Sequence, residues 1–231
     1  MPRPTRFDDG DLLDASYDLL WRDGCDAVSI RDIEAALGVK APSLYRRFHS
    51  RAQLVTRSVD RYVERVVTGR VRRHLAGSDD PVEGIRSFFV SALEPAGDED
   101  RPRGCLLTVT SGQAAVAEPG VRAAVVAGIG VVEGALRTQV GRAHGDGRTG
   151  PGTDPDALAV ALLLAFEGLM VLARTGRPGL VPAVEQLLTV CFPVHPSDST
   201  PESATTTAPA GNPVPANGVA PVRSPREELQ P

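Results

Sequence analysis

Between Ser29 and Arg51 the chain reads Ser-Ile-Arg-Asp-Ile-Glu-Ala-Ala-Leu-Gly-Val-Lys-Ala-Pro-Ser-Leu-Tyr-Arg-Arg-Phe-His-Ser-Arg, and its punctuation leaves few folds open. Ser29 is a helix cap, and Asp32 stands three residues on, where a capping box places its reciprocal acceptor. Val28 and Ile33 occupy the two ends of a hydrophobic staple. Ile33, Ala36 and Leu37 continue as an apolar stripe at helical spacing. Gly38 then stops the helix as a left-handed residue does. Val39 is apolar within the turn and points into a small core. Pro42 pre-sets the backbone at the start of the next helix. Leu44 and Phe48, four apart, face inward, which leaves Ser43, Tyr45, Arg46 and Arg47 to face out. Two helices joined by a short glycine turn, the second presenting polar and basic groups, form a helix-turn-helix.

The flanks agree. Leu12, Leu13, Ala15, Ser16, Leu19 and Leu20 give a preceding helix with one apolar face. Asp8, Asp9 and Asp11 crowd its positive end. Ser50 and Gln53 form another capping pair, from which a long helix is expected to run to about His74.

From Phe7 to about Leu54 the sequence resembles the DNA-binding domain of tetracycline-repressor (TetR) family transcriptional regulators. The resemblance rests on Leu12-Leu13-Asp14-Ala15, Gly24, Ser29-Ile30-Arg31-Asp32-Ile33, Ala36-Leu37-Gly38-Val39, Ser43-Leu44-Tyr45, Phe48 and Ser50-Arg51, in unbroken order. The chain departs from that pattern at Lys40, where the family carries Ser or Thr to cap the recognition helix. Lys40 cannot accept a backbone hydrogen bond and is directed at a phosphate instead.

Net charge over the 231 residues is −4, so no global attraction to nucleic acid exists. The local balance is different. From Gly38 to Val59 stand Lys40, Arg46, Arg47, Arg51 and Arg57 with no acid, and a local patch suffices because screening confines phosphate contact to about 8 Å. In the expected pose the recognition helix, Ala41 to Phe48, enters the major groove. Ala41, Pro42 and Ser43 meet base edges, a thymine methyl suiting Ala41 or Pro42. Arg46 reads a base or a phosphate. Ser29 and Arg31 bind phosphate at the start of the preceding helix, and Arg31 is long enough to reach a base. The resemblance adds Tyr45, Arg47 and Arg51 as phosphate contacts.

Beyond the head the pattern is helical, with no sustained alternation of period two, so the fold class is all-α. Three regions are expected: a head at 6–66, a helical regulatory and dimerisation body at 67–192, and a disordered tail at 193–231 rich in Pro, Ala, Ser and Thr. In the body, Asp80-Pro81 and Asp154-Pro155 are cap-plus-proline helix starts. Helices are expected at 81–93, 104–117, 119–143, 155–175 and 180–192. Ala123, Ala127, Gly130 and Gly134 in one helix, and Ala157, Ala161 and Gly168 in another, suggest close packing. The resemblance implies that 119–143 and 155–175 pair with a second copy as a four-helix bundle. It also implies a small, often hydrophobic effector. Thr108, Gln113 and Glu167, polar residues among apolar neighbours, are the candidate effector contacts.

No apolar run of about 20 residues is recognised, so no membrane span is expected. Cys25, Cys105 and Cys191, few and far apart, suit a cytoplasmic protein. Gly128-Ile129-Gly130-Val131-Val132-Glu133-Gly134 has its third glycine one place late for a dinucleotide fingerprint. His49, His74, His144 and His195 lack ligand spacing. No catalytic constellation, cofactor or metal is expected. The reading is a dimeric regulator of double-stranded DNA, a repressor released by an apolar effector. Its rivals are a helical enzyme, or a ligand-independent DNA-binding protein, carrying the same head.

Overall fold

In the computed structural model, residues 8–95 and 102–193 are described, and among them the regular structure is all helical. Three short helices open the chain: α1 (Asp9–Asp23), α2 (Ile30–Leu37) and α3 (Ala41–Phe48). Next comes α4 (Arg51–Tyr62), which continues without a break through a π segment (Val63–Val67), one α turn, α5 (Thr68–Arg70), and a second π segment (Val71–Ala76). The body adds α6 (Pro81–Ser91), α7 (Leu106–Ser111), a 3-10 turn (Ala114–Ala117), α8 (Pro119–Gly145), α9 (Pro155–Arg174) and α10 (Leu180–Cys191). The tail expected at 193–231 lies, except for Pro193, outside the described residues.

Caps explain most boundaries. Asp8 accepts from Asp11 N–H at 2.7 Å to start α1. Asp80 accepts from Val82 and Glu83 N–H at 2.8 and 3.0 Å, with Pro81 as the first residue of α6. Asp154 repeats the device before Pro155. These side chains take up amide donors that the helix cannot satisfy itself.

Leu12, Leu20, Ile33, Leu44, Phe48 and Leu54 are almost wholly buried and fill the head. Each side chain of this size stabilises by roughly 1.5–3 kcal/mol when removed from water. Tyr62 joins head to body. Its ring meets Trp21 edge-on at 5.1 Å, and its hydroxyl donates to Cys105 Sγ at 3.7 Å. In the body Phe88 stacks on Phe166 at 4.6 Å, and Phe89 meets Phe166 edge-on at 5.3 Å.

Two expectations are corrected, and the close packing expected of the small residues is located within the protomer. The helix foreseen over 104–117 breaks in two, α7 ending at Gly112 and Gln113 taking an extended backbone. Glycine weakens a helix interior by about 1 kcal/mol, and the residues after it have partners in the head, described below. Close packing within the protomer falls on Gly128, not on Gly130 or Gly134. A Cβ at Gly128 would lie 2.6 Å from Val63 and 2.8 Å from Leu107, whereas Gly130 and Gly134 have nothing within 4 Å. Finally, α8 and α9 are both long and apolar enough to cross a membrane, which the sequence reading did not recognise. Each buries one side: Val125, Val132 and Leu136 from α8, Leu162, Phe166 and Met170 from α9. Their other sides leave Val126, Leu164 and Val171 exposed.

Candidate functional site

The head builds one surface from α2, the turn and α3. Ser29 and Asp32 form the reciprocal box: Asp32 N–H donates to Ser29 Oγ at 3.3 Å, and Ser29 N–H donates to Asp32 Oδ2 at 2.7 Å. The bond from the Ser29 hydroxyl holds the Asp32 carboxyl below its ordinary range. Gly38 takes the left-handed conformation, φ 64°, and turns the chain into α3.

The start of α3 is solved unexpectedly. Lys40 supplies no side-chain cap. Glu34, one helix earlier, reaches across the turn, and its Oε1 accepts from Ala41 N–H at 2.5 Å. Sequence reasoning missed Glu34. The missing Ser or Thr at position 40 was the only local hint that another acceptor was needed. At the far end, His49 adopts φ 58° and its N–H closes on Tyr45 O at 2.8 Å, ending the recognition helix before Ser50 caps α4.

An open groove of about 560 Å³ runs along the α2–α3 junction, lined in part by Ser29, Arg31, Ala41, Tyr45 and Arg51. Five of the expected contacts are thus brought together. Pro42, Lys40 and Arg46 are exposed beside them, and Ser43 is half-buried. Arg46 Nη2 donates to Ser43 Oγ at 3.5 Å. Among the described residues Arg31, Lys40 and Arg46 form no ion pair.

Two expected phosphate contacts are placed differently. Arg47, expected to face out, turns toward α1 and pairs with Asp9 at 3.0 Å. The Arg51 guanidinium is directed inward at the loop before α2. Its Nε and Nη2 donate to Val28 O at 3.2 and 2.9 Å, and Nη2 also donates to Cys25 O. Arg51 touches the groove while anchoring that loop.

The effector candidates separate. Thr108 on α7 and Glu167 on α9 are bonded to each other, the threonine hydroxyl donating. Burial pushes the Glu167 carboxyl up, and the Thr108 bond opposes this. Gln113 is not with them. Its Oε1 accepts from Cys25 N–H at 2.8 Å, in the loop that leads to α2. Asp26 of the same loop accepts from Ala114 and Ala115 N–H at 2.7 and 2.9 Å. These contacts draw residues 113–115 out of the helix expected there. Elsewhere in the body, an open apolar groove of about 230 Å³ lies among α6, α9 and α10, with Phe89, Leu169, Leu180 and Val184 in its wall.

Comparison with known proteins agrees with this geometry. Residues 81–181 match the tetracyclin repressor-like C-terminal domain. The HTH-type transcriptional repressor ComR of Escherichia coli (strain K12) is 29% identical over 105 residues, 46% of this chain and 50% of ComR. The HTH-type transcriptional repressor BdcR of the same organism is 39% identical over 61 residues, 26% of this chain and 31% of BdcR. The chain therefore spans half the length of ComR and under a third of BdcR. A cysteine-substituted form of the TetR family transcriptional regulator CifR, complexed with 26-base-pair double-strand operator DNA, is similar in structure, with 26% identity and a TM-score of 0.72. That similarity covers 82% of this chain and 99% of CifR. Residues 12–57 match the bacterial regulatory proteins of the tetR family, and with its head and body both matched the chain belongs to that family.

Proposed function

We propose that this protein is a sequence-specific regulator of transcription that binds double-stranded DNA as a homodimer and represses until a small, largely apolar effector lowers its affinity. The observation that carries this is the single groove where Ser29, Arg31, Ala41 and Tyr45 converge beside the exposed Lys40 and Arg46. Exposed cations on one face, beside the Ser29 hydroxyl and the Tyr45 phenol, suit a phosphate backbone even though Asp26 and Glu34 also line the groove. The exposed start of α3 offers Pro42 and Ser43 to base edges. ComR and BdcR being repressors, and CifR having been solved on operator DNA, support the same reading over the helical-enzyme alternative. Its place of action is the cytoplasm.

In the proposed contact set Arg31, Lys40, Tyr45 and Arg46 meet phosphate directly, with Arg46 or Arg31 also within reach of a base. Arg47 and Arg51 support the surface through Asp9 and the Val28 carbonyl. For the effector, Thr108 and Glu167 remain candidate contacts. The groove among α6, α9 and α10 is smaller than the ~300 Å³ at which small-molecule pockets begin, so an effector there would open it. An effector acts only through unequal affinity for two states, and the coupling is reciprocal: a tenfold loosening of DNA corresponds to about 1.4 kcal/mol in each direction.

Binding to the duplex upstream of its own gene, compared with a random duplex across about 50–200 mM salt, tests the reading. Tighter binding to the upstream duplex, with log K falling linearly in log salt, is expected. Equal binding to both, or none to either, overturns it.

A further inference from the structure

We propose that Gln113 is a positioning residue for DNA binding: with Thr110 and Asp26 it latches the Gly24–Val28 loop of the head to the body. In this arrangement a shift of α7 away from Glu167 moves the start of α2. The inference rests on the DNA-binding reading above and specifies how it is regulated.

The contacts run in one direction through the molecule. Glu167 on α9 holds Thr108 on α7. Two residues along the same six-residue helix, the buried Thr110 places its hydroxyl 3.3 Å from Cys25 Sγ. Just past the helix end Gln113 accepts from Cys25 N–H at 2.8 Å. The Asp26 carboxylate holds the 3-10 turn from the opposite side, through Ala114 and Ala115 N–H. The far side of the same loop is gripped by Arg51, on the carbonyls of Cys25 and Val28. Val28 is covalently next to Ser29, the cap of α2 and a wall of the DNA groove. Gly24 fits this close approach. Its φ is 91°, and a Cβ there would come 2.5 Å from Gln113 Nε2.

A six-residue helix held at Thr108 in its middle, and at Thr110 and Gln113 at and beyond its end, has little freedom to absorb a displacement internally. A guest that separates Thr108 from Glu167 therefore shifts Thr110 and Gln113 together, and the loop follows through its own hydrogen bonds. Gln113 faces the loop and not the groove, so its loss weakens DNA binding without removing a phosphate contact.

The test uses the full chain and a fluorescent duplex from upstream of its gene, with a random duplex as control. The variants are Gln113→Met, Thr108→Val and the double variant. Gln113→Met retains length and loses the acceptor. Its affinity for the upstream duplex is expected to fall about tenfold, with the salt dependence unchanged because no counterion-releasing contact is lost. Thr108→Val is expected to weaken binding severalfold in the natural background and by less than about twofold beside Gln113→Met, the non-additivity of residues acting in series. Additive effects, or a Gln113→Met affinity within about twofold of the natural protein, overturn the latch. In parallel, amide exchange is measured without DNA, so that folding and coupling are read apart. Thr108→Val should speed exchange from Cys25 through Leu37 while global unfolding stays cooperative. If the natural protein does not prefer the upstream duplex, the regulatory reading fails. The exchange result then decides the latch alone, and unchanged protection from Cys25 to Leu37 overturns it.

Discussion

Arg51 lies at the first position of α4, yet its guanidinium serves a loop 23 residues earlier. Removing it leaves two carbonyls, of Cys25 and Val28, short of a strong donor. A lost bond to a charged group costs about 1.5–3 kcal/mol, so Arg51→Ala should lower the urea midpoint by a corresponding amount. A phosphate contact alone would weaken DNA binding and leave the midpoint where it is, so an unchanged midpoint would contradict the anchoring role. Glu167 behaves oppositely. Burial raises its carboxyl above the ordinary glutamate value of 4.5. A carboxyl raised in the folded state holds its proton more tightly when folded, so ionisation destabilises the fold. The cost is complete above the folded pKa and absent below 4.5. Glu167→Gln, which can still accept from Thr108, should therefore be more stable than the natural protein near neutral pH, and the gain should shrink as the pH falls toward that value. Denaturation curves across this window check it. A gain that grows in acid would show that the carboxylate, not the acid, is the form the fold favours.

Helix α3 shows how an element can be specified without its usual local signal. The first amide of the recognition helix is satisfied by Glu34, so Glu34→Ala should cost about 1 kcal/mol, as loss of a helix cap does. Lys40→Ser places an acceptor at the local cap position, within reach of Ser43 N–H and not of Ala41 N–H, because Pro42 between them has no N–H. It should therefore recover little of that loss in the Glu34→Ala background, the two changes adding within about 0.5 kcal/mol. Chemical denaturation of the four forms closes the cycle, and an unchanged midpoint for Glu34→Ala would mean that Glu34 does not cap α3. The contrast marks what was legible in the chain. Ser29 with Asp32, Gly38, Pro42, Asp80-Pro81 and Asp154-Pro155 act within four residues, and the structure realises each as read. The apolar spacing of Leu44 and Phe48 likewise set the buried face of α3. The routing of Arg51 and Arg47, the break at Gly112 and the role of Gln113 were not legible. Each depends on a partner brought near by folding, 88 residues away for Gln113 and Cys25. Gly128 and Gly130 are indistinguishable by composition or spacing. Only the approach of Val63 and Leu107 separates the crowded glycine from the open one.

On the scale of the whole molecule, the open side of α8 and α9 is the feature that a single chain leaves unexplained. Val160, Leu164, Val171 and Leu172 on α9 are 39, 68, 53 and 40% exposed, joined by Val126 on α8 and by Val181 and Val190 on α10. Gly130, Gly134 and Gly168 meet nothing within 4 Å and give a partner helix room for close approach. These helices also satisfy the length and apolarity of a membrane span, but α8 carries Arg122, Glu133, Arg137 and Arg142 along its length. Arg137 is paired with both Glu133 and Asp156 at the surface. A second copy of the chain suits such a mixed face better than lipid does. It also gives the two heads the two-fold arrangement that a near-palindromic site needs, with recognition helices about 34–36 Å apart. In an isologous interface every residue acts twice. Burying the exposed two-thirds of two copies of Leu164 would contribute roughly 2–4 kcal/mol, about two-thirds of 1.5–3 for each. Leu164→Arg should therefore raise the dimer dissociation constant about thirtyfold or more, since each 1.4 kcal/mol is a factor of ten. Sedimentation at micromolar concentration should find the variant monomeric and the natural protein dimeric. Thermal unfolding of the monomer should stay cooperative, because a side chain this exposed supports little of its own core. Affinity for the upstream duplex should fall to the level of a random one, as the second head loses its tether to the first. A variant that stays dimeric would move the seam away from the middle of α9, and Val126→Arg and Val190→Arg would then show whether α8 or α10 carries it. A natural protein that sediments as a monomer would remove the homodimer altogether.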